Sequence, residues 1–204
     1  MAISDKEKFC ETLKDSLGEL ADKVPQDFIG QCWAHWQLLI EWNEKINLTA
    51  ILDPAQGALL HYRDSLEAMI RLQGNSFVDF GSGAGFPGIP LALAMPQQDF
   101  TLVESRRKRV SFLRVCKSTL GMENLRVLHC RAEDEPKGFF DMALTRATFS
   151  NYADIKGLFS WLGEKGSVLV FRTQEDGIDF PQGESHIYEL LGRKRTLEIF
   201  RRTG

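Results

Sequence analysis

Residues 76–91 read SFVDFGSGAGFPGIPL, and their reading decides the fold. An apolar run over 76–80 stops at Gly81, four glycines fall within positions 81–88, and a second apolar run follows. Glycine loses more conformational freedom on folding than any other residue. A chain accepts that loss where the backbone must turn sharply or let a ligand come close. The pattern predicts a buried strand, a glycine turn and a helix N-terminus.

Two fingerprints overlap in this turn. Gly83-Ala84-Gly85-Phe86-Pro87-Gly88 fits the G-x-G-x-x-G of dinucleotide binders, where helix N–H groups meet a pyrophosphate. Asp79-Phe80-Gly81-Ser82-Gly83-Ala84-Gly85 fits the acidic-x-G-x-G-x-G pattern of S-adenosylmethionine enzymes. An acidic residue before the glycines repels a pyrophosphate but suits the ammonium and sulfonium of the methyl donor. Asp79 can equally cap the turn by accepting backbone N–H groups, and both roles stand open.

The sequence on either side narrows the choice. Short apolar runs at 99–104, 125–130, 141–146 and 166–173 alternate with helical patterns at 108–121 and 152–163. Such alternation predicts a parallel sheet with helices on both faces. HIYELL at 186–191 and RTLEIFRR at 195–202 read as an antiparallel hairpin. The expected fold class is α/β: a Rossmann-like class I S-adenosylmethionine methyltransferase sheet of five parallel strands closed by a C-terminal antiparallel hairpin. Before it, residues 5–24, 26–46 and 54–72 read as three helices, the first capped by Ser4 and stopped by Pro25. The expected division is a helical cap at 1–72 and a cofactor-binding domain at 73–204, packed as one unit. Trp33 and Trp36 are read as packing groups between the helices.

Composition sets outer bounds. The chain has 204 residues, 43% of them hydrophobic and 26% charged, as in an ordinary globular protein. Cys10, Cys32, Cys116 and Cys130 form no C-x-x-C pair, and neither a signal peptide nor a membrane-length apolar run is evident. Reduced thiols, a cytoplasmic location, no membrane and no metal are expected. The formal net charge of −3 argues against a uniformly basic nucleic-acid binder, yet RRKR at 106–109 and GRKR at 192–195 are locally basic.

Three further positions bear on the ligand. Glu104, ending the second strand, is placed to accept both ribose hydroxyls of an adenosine. Ala132-Glu133, after the third strand, falls where an adenine lies. Asp79, Glu104 and the closing hairpin together favour the methyl donor over a dinucleotide.

The chain resembles a known family, the bacterial small-subunit ribosomal RNA methyltransferase G, also called glucose-inhibited division protein B. The likeness rests on WNEKINLTAI at 42–51, HYRDSL at 61–66, DFGSGAGFPGIPLA at 79–92, LVESRRKRVSFLR at 102–114, RAED at 131–134 and TRAT at 145–148. The resemblance implies methyl transfer from S-adenosylmethionine to guanine N7 in 16S rRNA, with 16S rRNA or the small subunit as the expected partner; a monomer is expected. It implies cofactor contacts at Gly81, Phe86, Ala132, Glu133 and Arg146. Asp79, Ser82, Gly83, Gly85 and Glu104 complete the expected cofactor set. The chain departs from the family at Thr148, where Phe is usual after Arg-Ala, and at Arg172, where Lys-Gly is common. The stretch 173–184 is acidic where a basic rim is expected.

Guanine N7 carries no proton, so no general base is expected and Arg146 is assigned a positioning role. Arg146 can hold the cofactor carboxylate, the guanine O6 or a phosphate. Arg106, Arg107, Arg109, His61, Asp64 and Arg172 are the expected RNA contacts. His61, Asp64 and Ser65 can line the mouth of the site or knit the cap to the sheet. Phe86 and Phe149 can stack a base or fill the core. The alternatives are a methyltransferase for a small molecule or protein, a non-catalytic nucleotide-binding module, and an NAD(P) binder.

Overall fold

The structure is a computed structural model describing residues 3–136, 138–146, 149, 151–173 and 183–202. Ala147, Thr148 and the acidic stretch at 174–182 lie outside the described residues.

Seven strands form one sheet in the order β3-β2-β1-β4-β5-β7-β6. They are β1 (Ser76–Phe80), β2 (Asp99–Glu104), β3 (Leu125–His129), β4 (Phe140–Arg146), β5 (Leu162–Thr173), β6 (Glu184–Leu190) and β7 (Arg193–Arg201). The first five run parallel, and β7 pairs antiparallel with both β5 and β6. The order reverses between β1 and β4. Ligands in open α/β sheets bind at such a switch point, beyond the carboxyl ends of the strands.

Side-chain alternation splits the core in two. Phe77, Phe100, Leu102, Leu144 and Leu169 face the cap together with helices α5 (Gly88–Ala94) and α6 (Arg107–Thr119). Val78, Phe80, Val103, Ala143 and Val168 face Trp161, Leu158 and Ile155, the last from α7 (Tyr152–Gly157). Strands covered on both faces read as nearly continuous apolar runs, which is why they stand out in the sequence.

The cap differs from its expected form in two places. The helix expected over 5–24 ends as α1 (Asp5–Ser16), and a 3-10 turn covers Gly18–Lys23. Gly18 has φ +52°, and that left-handed residue stops the α-helix before Pro25 does. The helix expected over 54–72 is a composite of α3 (Pro54–Gly57), a π-stretch (Ala58–Arg63), α4 (Asp64–Leu66) and a 3-10 turn (Glu67–Ile70). α2 (Phe28–Ile46) ends at Asn47 in the left-handed conformation. Phe9 packs against Trp33, Trp36 and Tyr62 at centroid distances of 5.5, 5.8 and 5.1 Å. Trp36 also lies where a Cβ on Gly57 would be, so that glycine sets how closely α2 meets α3. β5 begins at Leu162, four residues before the expected start, and its pairing with β4 shifts register between Phe140 and Met142.

His35 of α2 is buried among Tyr62, Phe86 and Phe112 and shares a 2.9 Å hydrogen bond with the Tyr62 hydroxyl. Burial holds its pKa near 3. An unfolded chain protonates this ring below about pH 6.5 and so binds one more proton than the native state. The ring's contribution to stability is therefore complete above that pH and is lost as pH falls towards 3. His61, also held near 3, acts in the same sense. Asp79, pushed up to about 7 by burial, acts oppositely, its contribution being lost as pH rises through that value. Two rings outweigh one carboxyl, so stability should fall between about pH 6 and 4. In His35→Gln the slope of unfolding free energy against pH should be smaller by about 1.4 kcal/mol per unit in that window. Denaturant titrations at several pH values check this, and an unchanged slope removes His35 as a source.

Candidate cofactor and substrate cleft

The glycine turn is built by two carboxylates from adjacent strands. Asp79 points to the cap side of β1, where its Oδ2 accepts from Gly88 N at 3.2 Å, at the start of α5. A Cβ on Gly88 would collide with Leu102 and with that same Asp79 oxygen, so α5 sits on the sheet only through a glycine. Asp79 Oδ1 is buried without a hydrogen-bond partner among the described residues. Burial is the largest cause of its raised pKa, and the bonds from Ser82 and Gly88 oppose it. Glu104, buried at the end of β2, accepts from Gly83 N at 3.0 Å and from Arg106 N at 2.8 Å. Gly83 has φ +56°, a conformation that turns its N–H towards that carboxylate.

Two clefts open at the carboxyl ends of the strands, sharing Gly81 and Ser105. One, of about 460 Å³, is lined by Gly81, Ser82, Gly83, Ala84, Phe86 and Glu104, with Leu48, His61, Arg106, Arg109 and Arg146 also on its walls. The other, of about 330 Å³, is lined by Phe80, Val103, Cys130, Arg131, Ala132, Glu133, Phe149 and Asp154. Both are of the size that small-molecule sites occupy. Ala132 is fixed by Trp161 Nε1, which donates to its carbonyl at 2.9 Å.

Arg146 ends β4 at the wall of the larger cleft. Its Nη1 donates to Asp64 Oδ2 at 3.2 Å and to Leu60 O at 3.3 Å, and its guanidinium carbon lies 5.2 Å from the Phe86 ring centre. His61 stacks on the same ring at 4.4 Å with an 11° tilt, and its Nδ1 is 3.5 Å from Arg146 Nη2. Burial, and then the charge of Arg146, hold the His61 pKa near 3, so the ring is neutral. Arginine only donates. Nδ1 therefore accepts, and Nε2 carries the proton towards Thr49 Oγ1 at 2.9 Å. Thr49 sits in a loop that Asn43 organises: Asn43 Oδ1 accepts from Leu48 N and Thr49 N, and its Nδ2 donates to Thr49 O.

Several positions differ from expectation. Asp79 and Gly85 line neither cleft. Asp79 lies beneath the turn, and a Cβ on Gly85 would run into Ile89, so both build the turn from behind. Asp64, expected to contact RNA, is fully buried. Besides Arg146 it accepts from the Tyr188 hydroxyl at 2.7 Å and from Arg195 Nη1 at 3.2 Å, both on the C-terminal hairpin. Ser65 donates to His61 O within the same helical run. Arg172 is paired with Glu198 at 2.6 Å and lines neither cleft. Phe86 is buried and Phe149 half-buried, the latter on a cleft wall.

The expected rim is at α6. Arg106 and Arg107 are exposed and have no carboxylate partner among the described residues, while Arg109 lies 3.9 Å from Glu104 Oε2. The first turn of α6 has no acidic residue and its N-cap, Arg106, makes no side-chain cap. Helix N-termini prefer the opposite charge. A basic run there works against the helix and in favour of an external anion.

The methyl donor expected from the sequence fits these residues. A carboxylate offers about four acceptor directions, and Glu104 uses two of them on Gly83 N and Arg106 N. The remaining directions suit a pair of hydroxyls.

The family described as rRNA small subunit methyltransferase G matches residues 30–200. Two relatives named Ribosomal RNA small subunit methyltransferase G, from two strains of Lactococcus lactis subsp. cremoris, are 33% and 40% identical over 202 residues, covering 95% of this chain and 83% of each relative. A third of that name, from Yersinia enterocolitica, is 39% identical over 144 residues, covering 70% of this chain and 66% of its own length. A SAM dependent methyltransferase from Aquifex aeolicus matches in structure with a TM-score of 0.55 at 14% identity, over 72% of this chain and 93% of that one. At that identity the likeness is one of fold. With the family matching over residues 30–200, the chain belongs to the rRNA small subunit methyltransferase G family.

Proposed function

We propose that the protein transfers a methyl group from S-adenosylmethionine to N7 of one guanine in 16S rRNA. The observation that carries this reading is the buried Glu104 carboxylate, which holds the glycine turn and lines the same cleft as Arg146. When bound, the cofactor supplies an electrophilic methyl group on a sulfonium. Glu104, on the wall of the larger cleft, would hold the ribose. Ala132, Glu133 and Phe149 enclose the adenine, and Gly81, Ser82 and Arg146 receive the amino-acid end. Leu48 and His61 form the cap-side wall over which the base enters.

Guanine N7 is an acceptor on the major-groove edge, so it reacts without losing a proton. The task of the chain is alignment. His61 suits such a site because it stays neutral and only fixes the Arg146 guanidinium. Cys116 is buried with its thiol pKa pushed up, which makes it a packing group and not a nucleophile. Arg106, Arg107 and Arg109 meet RNA phosphates at the cleft rim. The test is methyl transfer from labelled cofactor to small subunits isolated from a strain lacking the modification, followed by mapping of the modified base. Transfer to another base, or none, ends the reading.

Three outcomes follow from the assigned roles. Glu104→Gln should weaken S-adenosylhomocysteine binding about tenfold through loss of charge-assisted hydrogen bonds. Calorimetry measures this, and unchanged affinity takes Glu104 out of the site.

Arg106→Gln combined with Arg107→Gln should raise KM for ribosomal subunits and lower the salt slope of binding by about 2, one counterion per lost phosphate contact. Cofactor affinity should not change. A salt slope equal to wild type leaves these residues as a solvated helix face.

Single-turnover transfer at saturating cofactor should be flat between roughly pH 6 and 9, where a catalytic base would impose a limb. Asp79, beneath the turn and with its pKa raised by burial to about 7, can bend the profile by loosening the turn. A single-proton limb that persists in Asp79→Asn would contradict base-free attack by N7.

A further inference from the structure

The buried carboxylate of Asp64 joins three separate parts of the fold. It comes from α4 of the cap, and its side chain has no solvent exposure. Its two oxygens serve different strands. Oδ2 accepts from Arg146 of β4 at 3.2 Å, while Oδ1 accepts from Tyr188 of β6 at 2.7 Å and Arg195 of β7 at 3.2 Å. Both guanidinium groups are largely covered, with 18% of each side chain exposed. Burial and the adjacent Asp64 push the Tyr188 pKa up, so its hydroxyl remains a donor.

An arrangement of this kind is a poor way to gain stability. Removing charges from water offsets much of their attraction, and apolar residues of similar volume hold such a junction as well or better. Its use is in direction. Of the three donors, Arg146 is the one that reaches the wall of either of the two clefts described above. An arginine side chain has several free torsions, and this one is pinned by Asp64 Oδ2, by Leu60 O at 3.3 Å and by the His61–Phe86 stack. Leu60 and His61 precede Asp64 in the same helical run, and the π-stretch over Ala58–Arg63 sets their relation to it.

We propose that Asp64 is a positioning residue for the methyl-transfer site: it aims Arg146 at the amino-acid end of the cofactor, and through Tyr188 and Arg195 it makes the C-terminal hairpin part of that support. The proposal rests on the functional reading above for the identity of the ligand. It differs from a merely structural role in one respect. If Asp64 acts through Arg146, its effect on ligand binding must vanish once Arg146 is gone.

The experiment is a double-mutant cycle read by calorimetry with S-adenosylhomocysteine on the full chain. Asp64→Asn and Arg146→Ala should each lower affinity about tenfold, and the double variant should lose no more than either alone. Unchanged affinity in folded Asp64→Asn overturns the proposal. So do losses that multiply to about a hundredfold in the double variant, the signature of independent sites. Asp64→Asn leaves two buried guanidinium groups without their anion and can fail to fold. Tyr188→Phe then takes its place: it removes one hydroxyl and no charge, and should lower affinity about threefold in wild type and not at all beside Arg146→Ala. Equal affinity of Tyr188→Phe and wild type in that case overturns the proposal. Methyl transfer to small subunits is followed in parallel. A wild-type protein that binds S-adenosylhomocysteine but methylates no subunit ends the functional reading, and the affinity cycle still decides Asp64.

Discussion

The turn between β1 and α5 depends on two carboxylates holding two backbone N–H groups. Asp79 takes the N–H of Gly88 and Glu104 takes that of Gly83. Each bond secures one end of a six-residue crossing that has little side chain of its own to pack. Glycine at 88 lets α5 rest on Leu102, and glycine at 83 lets the chain reverse towards β2. Everything at the carboxyl end of the sheet is placed relative to that crossing: the larger cleft is its outer surface, and Phe86, at its far end, is the ring on which His61 and Arg146 rest. The two acids are not equivalent. Glu104 reaches the cleft, whereas Asp79 is shut beneath the turn with one oxygen unpaired among the described residues, and burial raises its pKa to about 7. The fold thus keeps a carboxyl of raised pKa below the larger cleft, where its charge state acts first on the turn.

Much of this was legible in the sequence, and for a consistent reason. The bounds of β1 and β2 coincide with their apolar runs because strands buried on both faces read as nearly continuous hydrophobic stretches. The hairpin was legible from alternation, but Leu191, read as the end of its first strand, lies in the turn with Gly192, both at positive φ. What escaped depends on contacts across long sequence separations. Tyr188 and Arg195 sit on strands in the expected place, but alternation says only that they share a face, not that a carboxylate more than 120 residues earlier lies beneath it. Asn43 lay inside a quoted motif, yet its work is done by a side chain reaching five and six residues ahead, which neither helical nor strand periodicity reports. The early end of α1 was the one local signal available, since a glycine at 18 is an ordinary helix stop.

The overall charge of −3 stands against a polyanionic substrate until the charges are sorted by depth. Asp64, Asp79 and Glu104 are buried and spend their charge on backbone N–H groups and guanidinium groups. Arg106 and Arg107 are exposed at the rim, on a helix whose first turn lacks the acidic residues that its dipole favours. Net charge governs the field at distances where salt already screens it, beyond about 10 Å at ordinary ionic strength. Closer in, an approaching phosphate meets the rim cations and not the acids behind them. The buried acids contribute indirectly: Asp64 holds Arg146 at the wall of the larger cleft, Glu104 holds Gly83 there, and Asp79 fixes the start of α5 beneath the turn. A chain of modest negative charge can in this way present a basic mouth, provided that its acids at the site point inward and are matched there.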